Sequence, residues 1–379
     1  MRRATSELPR GYKPLLESDP KSFRTNGKIS ARSIAAAFYQ GNIDCIDPSR
    51  TAPLRAFLAA ESLKRAPAFI FEKLFVDRMR RNHEVSQGWH ICGFDGENRR
   101  IWFKLSNGPD SDTELEAAFA RSLMYRKFQV WKAWFDNKGL HLKAMHAEGK
   151  TFTARQFLDA NPCGMRTPQK YPPDFNSSSA LSEAAVSLFS KWTIEEANDL
   201  IRSRIFINCF LEVTGGYPFD IDAVCRQNDT IFVAEFKRKY PSAWNTFGMD
   251  MHLARLAGIL PDEHPLFHFV LEDHAGLNGK HDDPAAHLLG AHEEGSGFTW
   301  LGIHLRKGFE IEFPERMWTR GPDSGQNGGD REQVSIPKSA FNVLQNAENM
   351  IDSSVLSGSG DDAWSRFTGR RLKDLESRL

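Results

Sequence analysis

Between Phe219 and Lys239 the chain reads FDIDAVCRQNDTIFVAEFKRK, and four charged side chains, Asp220, Asp222, Glu235 and Lys237, interrupt two otherwise apolar runs. A turn at Asn228-Asp229 sets a register in which Gln227 faces Thr230, Asp222 faces Glu235 and Asp220 faces Lys237. Strand side chains alternate between faces. The four charged groups therefore share one face with Val224, Ile231 and Val233, and Phe219, Ile221, Ala223, Phe232, Ala234 and Phe236 take the other. Opposed carboxylates in such a pair have Cβ atoms roughly 5 Å apart. They repel each other and lose hydration on burial. A divalent cation relieves both costs, because Mg²⁺ takes hard oxygen ligands, commonly one or two carboxylates with waters and substrate phosphates. Lys237, two residues from Glu235, points to the same side, where it can neutralise charge or position a water. The competing explanation is a salt-bridge cluster on an exposed sheet face. Val and Ile at the alternate positions argue against it, since an exposed face carries Thr, Ser and Lys there.

The elements that must hold these groups follow from the flanking sequence. Apolar residues on both strand faces predict a central sheet covered on both sides. Upstream, ALSEAAVSLFSKWTIEEANDLIRSR predicts one or two helices and IFINCFLEVTG a strand. Downstream, NTFGMDMHLARLAGI predicts a helix, PLFHFVLED a strand, and FTWLGIHL and GFEIEF two more strands.

This arrangement of acid, strand, turn, strand and Glu-x-Lys, preceded by a helix and a strand and followed by a helix, resembles the PD-(D/E)xK nuclease superfamily. That is the restriction-endonuclease-like fold shared with archaeal-type Holliday junction resolvases. FDIDAV supplies the acid and VAEFKRK the Glu-x-Lys, and the thirteen positions from Asp222 to Glu235 suit the resolvase-like branches. Ile221 stands where the proline of the superfamily's name would be. The resemblance covers about residues 180–275. It implies an α/β fold with a mixed central sheet flanked by helices, and Mg²⁺ (with Mn²⁺ as substitute) as cofactor. It implies that Asp222, Glu235 and the main-chain carbonyl of Phe236 bind the metal and that Lys237 is catalytic. Asp220 is a second candidate acid. A helical glutamate is common in the superfamily, and Glu196 fits best, with Glu195 and Glu183 behind it. Lys239, His252 and Arg255, with Asp250, are candidates for supporting or nucleic-acid-binding positions. The implied reaction is phosphodiester hydrolysis.

Along the rest of the chain, residues 1–30 are polar and read as a flexible N-terminus. Residues 31–158 predict an α+β accessory or recognition domain. It opens with the helical patterns ISARSIAAAFYQG, TAPLRAFLAAESLKRA and PAFIFEKLFVDRMRRN, and continues with a hairpin about DGEN, the amphipathic helix DTELEAAFARSLMYR and a second hairpin turning at Asn137-Lys138-Gly139. Residues 159–179, with NPCGMRTPQKYPPDFNSSS over 161–179, have linker composition. The nuclease domain is then expected over 180–315, with a flexible linker and helical tail over 316–379.

The chain has 379 residues with 49 basic and 49 acidic side chains, so nucleic-acid binding requires local clustering of charge. Its five cysteines contain no CxxC pair, which argues against a disulfide framework or a cysteine zinc site. No apolar run suggests a membrane span or a secretory signal, so a cytoplasmic location is expected. Trp89, Trp102, Trp131 and Trp134 lie near Arg99, Arg100, Lys104 and Lys132, a pattern that can stack bases and hold phosphates, although aromatics at strand periodicity also build cores. His264, His268, His274, His281, His287 and His292 match no zinc template and read as a solvated loop. The expected activity is that of a metal-dependent DNA endonuclease, with DNA favoured over RNA, in a restriction or anti-phage setting and with a homodimer or partner protein compatible. The alternative is a catalytically silent nucleic-acid-binding subunit of the same fold in a defence or repair complex.

Overall fold

A computed structural model describes residues 24–25 and 28–29, most of 72–160, 175–176, most of 199–273, 298–319 and 331–344. Its contacts divide the chain into two compact units that interleave in sequence. One comprises Met1–Leu63, His90–Asp112 and Lys127–Asp220, and the other Lys64–Trp89, Thr113–Arg126 and Ile221–Leu379. The linear division expected at 159–179 is therefore not the division the contacts give. Among the described residues no helix is long and apolar enough to cross a membrane. The architecture is mixed α/β, with mixed sheets and few helices.

In the first unit, β1 (Arg24–Thr25), β2 (Lys28–Ile29) and β9 (Phe175–Asn176) form a small sheet. A six-stranded sheet contains β4 (Trp89–Gly93), β5 (Arg100–Ser106), β6 (Gln129–Asp136), β7 (Gly139–Ala144), β8 (Phe152–Thr153) and β10 (Phe219–Ile221), in the order β10-β4-β5-β6-β7-β8. The predicted hairpin about Asn137-Lys138-Gly139 is present, with Asp136 paired to Gly139. Within IFINCFLEVTG, Phe206–Leu211 is a π-helical turn and not the expected strand. Phe206, Ile207, Phe210 and Leu211 are all buried. That spacing is helical, and Phe206 and Phe210 stack at 5.4 Å. The tryptophans proposed for base stacking are largely core. Trp102 and Trp134 are buried here, as is Trp89 in the second unit. Lys104 and Lys132 are buried as well, and Lys132 pairs with Asp112 at 2.8 Å.

The second unit contains α1 (Glu114–Tyr125), whose capping box joins Thr113 and Glu116. Its main sheet comprises β3 (Glu84–Ser86), β11 (Ala223–Gln227), β12 (Thr230–Lys239), β14 (Leu266–Asp273), β15 (Phe298–Leu305) and β18 (Asn342–Val343), in the order β18-β15-β14-β12-β11-β3. β12 pairs antiparallel with β11 and parallel with β14. It is therefore interior to the sheet, and its residues from Ile231 to Phe236 are all buried. Helix α2 (Ala154–Ala160) belongs to the first unit; the connection from β12 to β14 carries β13 (Thr246–Asp250) and helix α3 (Met251–Ile259). The helix predicted over NTFGMDMHLARLAGI thus begins five residues later than its strand-forming first half. β13 joins β16 (Arg316–Thr319) and β17 (Arg331–Pro337) in a small sheet, order β13-β17-β16. The stretch expected to be a flexible linker therefore supplies two strands. GFEIEF alternates like a strand but forms the short helix α4 (Phe309–Glu312) after Gly308, whose φ of 81° reverses the chain; Phe309 is buried and Ile311 exposed. His264 and His268 are buried before and within β14, not on a solvated loop. His274, His281, His287 and His292 lie outside the described residues.

Candidate active site

The hairpin register is the one the sequence predicts, with Gln227 opposite Thr230 and Ala223 opposite Ala234. The ladder ends there. Asp222, one residue further back, stands outside it, and its Oδ2 accepts the backbone N–H of Phe236 at 2.6 Å. The carboxylate thus takes a main-chain donor for which β11 offers no carbonyl, a substitution that a buried N–H requires. Glu235 and Lys237 project from β12 on one face. Lys237 Nζ lies 2.6 Å from Glu235 Oε1 and 3.6 Å from Asp222 Oδ2. Both carboxylate side chains are nearly inaccessible, at 4% and 7% exposure, whereas that of Lys237 is 37% exposed.

The Lys237 ammonium is held well above its ordinary pKa. Burial, the largest influence, opposes the charge, but the charges of Asp222, Glu235 and Glu72 and the hydrogen bond to Glu235 outweigh it. Lys237 is therefore a permanent cation at neutral pH, suited to neutralising and positioning and unsuited to accepting a proton.

Between these two side chains in sequence, Phe236 anchors the strand. Its ring stacks on Phe75 at 4.0 Å, and Phe75 also meets Phe269 and Trp300, each at 4.9 Å. Phe75, Val76 and Met79 are buried at helical spacing, and Glu72 lies one turn before Phe75. Glu72 is a residue the sequence reading missed. The signal available for it was the inward face of FEKLFVDRM, which places a glutamate three residues ahead of a core phenylalanine. Glu196, Glu195 and Glu183 fall outside the described residues.

Asp220 does not join Lys237. It lies on β10 in the first unit, and its Oδ1 is 3.0 Å from Nδ1 of the buried His90. The chain changes sheets at Asp222, so the register cannot extend to a pairing of Asp220 with Lys237. Lys239 is not displayed for substrate: it is part-buried and donates to the Gly248 carbonyl. Burial lowers its pKa to about 8, with Asp250 acting in the opposite direction. Asp250 accepts from Gln333 at 2.7 Å and lies 3.9 Å from both His252 and Arg331. Burial, resisted by Asp250 and reinforced by Lys237, Arg331 and Lys239, lowers His252 to about 4. Arg255 is exposed on α3. His268, paired in register with Glu235 on the adjacent strand, is buried and held neutral by that burial.

A hard divalent cation suits this donor set. Two carboxylates are already brought to one ammonium, so a local excess of negative charge exists for a cation to share. Among the described residues no group of three or more His, Cys, Asp or Glu side chains is gathered as a ligand set. Two carboxylates completed by main-chain, water and substrate oxygens is, however, a recognised Mg²⁺ arrangement. No protein-family model matches the chain, and comparison with curated proteins and with solved structures finds no match.

Proposed function

We propose that the protein is a metal-dependent nuclease that hydrolyses phosphodiester bonds, acting on DNA as an endonuclease within a restriction-endonuclease-like fold. The observation that carries this reading is the convergence of Asp222, Glu235 and Lys237 at one end of the β11–β12 hairpin, both acids buried and both within 4 Å of the same ammonium. In its support, an interior strand bearing Glu-x-Lys pairs on one side with β11, which Asp222 immediately precedes, and, across a helical connection, with a parallel strand on the other. A restriction or anti-phage role is the setting that such an enzyme fits by analogy.

In this reading Asp222, Glu235 and the Phe236 carbonyl would hold Mg²⁺ or Mn²⁺, with Glu72 as the helical acid. The cation supplies charge neutralisation at the scissile phosphate and a bound water of lowered pKa. The protein's own groups set the rest. Asp222 is aimed by its bond to the Phe236 N–H, and burial keeps water from screening the acids. Lys237, a permanent cation beside both acids, would hold the attacking water or the negative charge that develops on the phosphorane.

One observation favours a second reading, a silent nucleic-acid-binding subunit. Lys237 already pairs with both acids, so part of the site's negative charge is offset without a metal. Plasmid, single-stranded DNA and RNA incubated with Mg²⁺, Mn²⁺ or EDTA, beside Lys237→Ala and Glu235→Ala, separate the two. Metal-dependent cleavage lost in both variants supports the nuclease; tight, metal-insensitive binding without cleavage supports the silent subunit.

A further inference from the structure

We propose that His268 is a positioning residue for Glu235, holding that carboxylate, across at most one water, in the orientation that binds a divalent cation. The inference rests on the metal site of the nuclease reading and adds to it a residue of the neighbouring strand. Glu235 and His268 are register partners in the parallel β12–β14 ladder, so their side chains leave the same face of the sheet on strands about 4.8 Å apart. His268 is 1% exposed and Glu235 3%. Among the described residues, neither ring nitrogen of His268 has a hydrogen-bond partner.

The surroundings of the ring point to the neighbour it serves. Leu266 and Val270 flank it on the same face of β14, Ile303 is its register partner on β15, and the Phe341 ring lies 6.5 Å away. All four are buried and apolar. On the β12 side the register partner is the Glu235 carboxylate. Burial keeps the imidazole neutral, and the charges of Lys239, Lys237 and His252 act in the same direction. A neutral imidazole offers one N–H donor and one acceptor lone pair. It can therefore hold a carboxylate oxygen, or a water on that oxygen, without adding a second buried cation beside Lys237.

An imidazole without partners in a core is costly, and an apolar side chain of similar size would fill the place at less cost. Stability forgone in this way is the usual trade at a functional position. Carboxylates that bind metals are themselves held by hydrogen bonds from residues behind them, and losing such a residue weakens metal binding or activity roughly ten- to a hundredfold. His268 has that placement, buried on the next strand beside Glu235. A supporting role, and not that of a third ligand, also agrees with the described side chains, among which no three His, Cys, Asp or Glu gather as a ligand set.

The test is Mn²⁺ binding to the full chain, followed by the EPR signal of free Mn²⁺, beside melting temperatures in EDTA. His268→Leu is expected to weaken Mn²⁺ binding roughly tenfold or more. Its melting temperature in EDTA should equal that of wild type or exceed it, because an unpaired polar group gives way to an apolar one. His268→Gln, which restores a donor and an acceptor, should recover most of the affinity. Because His268 acts through Glu235, His268→Leu should cost little further affinity in a Glu235→Gln background. Unchanged Mn²⁺ affinity in His268→Leu overturns the proposal, as does wild-type protein that binds no Mn²⁺. A weakened affinity accompanied by a lower melting temperature in EDTA overturns it too, since the ring is then a packing residue. So does a full additional loss in the Glu235→Gln background. Cleavage is scored separately with Mn²⁺. Wild-type cleavage with no effect of His268→Leu on affinity sinks the positioning role and spares the nuclease. A His268-dependent Mn²⁺ affinity without any cleavage does the reverse.

Discussion

Lys237 and Glu235, two residues apart on one strand, meet at 2.6 Å, and the same ammonium lies 3.6 Å from Asp222, which immediately precedes the neighbouring strand β11. One cation thus serves two buried carboxylates, and the state of the site turns on what happens when a second cation arrives.

Removing that ammonium leaves the acids without their counter-charge. Lys237→Ala is expected to lower stability by about 1–3 kcal/mol at neutral pH in EDTA, as when a buried group loses its partner. Mg²⁺ or Mn²⁺ should narrow the gap, because a divalent ion takes over the neutralisation and binds only the folded chain. Urea denaturation of both proteins, with and without metal, measures it; a deficit that metal leaves untouched argues against a cation at these carboxylates.

Asp222 has two separable roles, acceptor for the Phe236 N–H and charge beside Lys237. Asp222→Asn keeps an acceptor and removes the charge, so the fold should persist while cleavage falls at least a hundredfold, about 2.7 kcal/mol of barrier. Asp222→Ala removes both and should also lower the melting temperature. Equal melting temperatures for the two variants would show that the hydrogen bond to Phe236 contributes nothing.

Lys239 predicts a pH signature. Its pKa in the folded chain is about 8, against 10.5 ordinarily. Between these values the unfolded chain binds the proton that the folded chain has lost, so stability rises with pH across that window. Lys239→Met should abolish this component of the rise. Chemical denaturation of both proteins at about pH 8 and pH 10 checks the sign, and an identical slope in the variant would remove Lys239 as the source.

Phe75 couples the core to the site, since it stacks on Phe236 and shares a helical face with Glu72. Phe75→Ala is expected to cost about 3–5 kcal/mol as a cavity in a close-packed core. Glu72→Gln should leave stability nearly unchanged and weaken metal-dependent activity, a contrast that melting curves and cleavage rates measure together.

The β11–β12 hairpin was legible because its information is local. Turn position and period-two alternation fix the register from Gln227–Thr230 to Ala223–Ala234, but the ladder stops before the expected pairing of Asp222 with Glu235, and Asp222 accepts the Phe236 N–H instead. The α1 helix, with its capping box at Thr113 and Glu116, and the Asn137–Gly139 turn were legible for the same reason. What failed was non-local. Asp220 obeys strand parity yet belongs to another sheet, because the chain crosses over at Asp222, and parity says nothing about where a strand changes partners. Strand β3, which pairs with β11, comes from residues 84–86, more than a hundred positions upstream. The same separation hid Glu72. FINCFL satisfies both helical and strand patterns, and packing of Phe206 and Phe210 among Phe103 and Phe157 decides in favour of the π-helical turn. Arg331–Pro337 follows a Gly- and Asp-rich run that suggests a linker, yet it pairs with β13 and brings Gln333 to Asp250.

The most direct measurement of the central claim is the rate of plasmid cleavage by the full chain as Mg²⁺ is titrated from EDTA, with Glu235→Gln and Lys237→Ala run in parallel. The account predicts cleavage that appears with Mg²⁺ or Mn²⁺, vanishes with EDTA and is lost in both variants. Cleavage indifferent to EDTA, or undiminished in either variant, would contradict it.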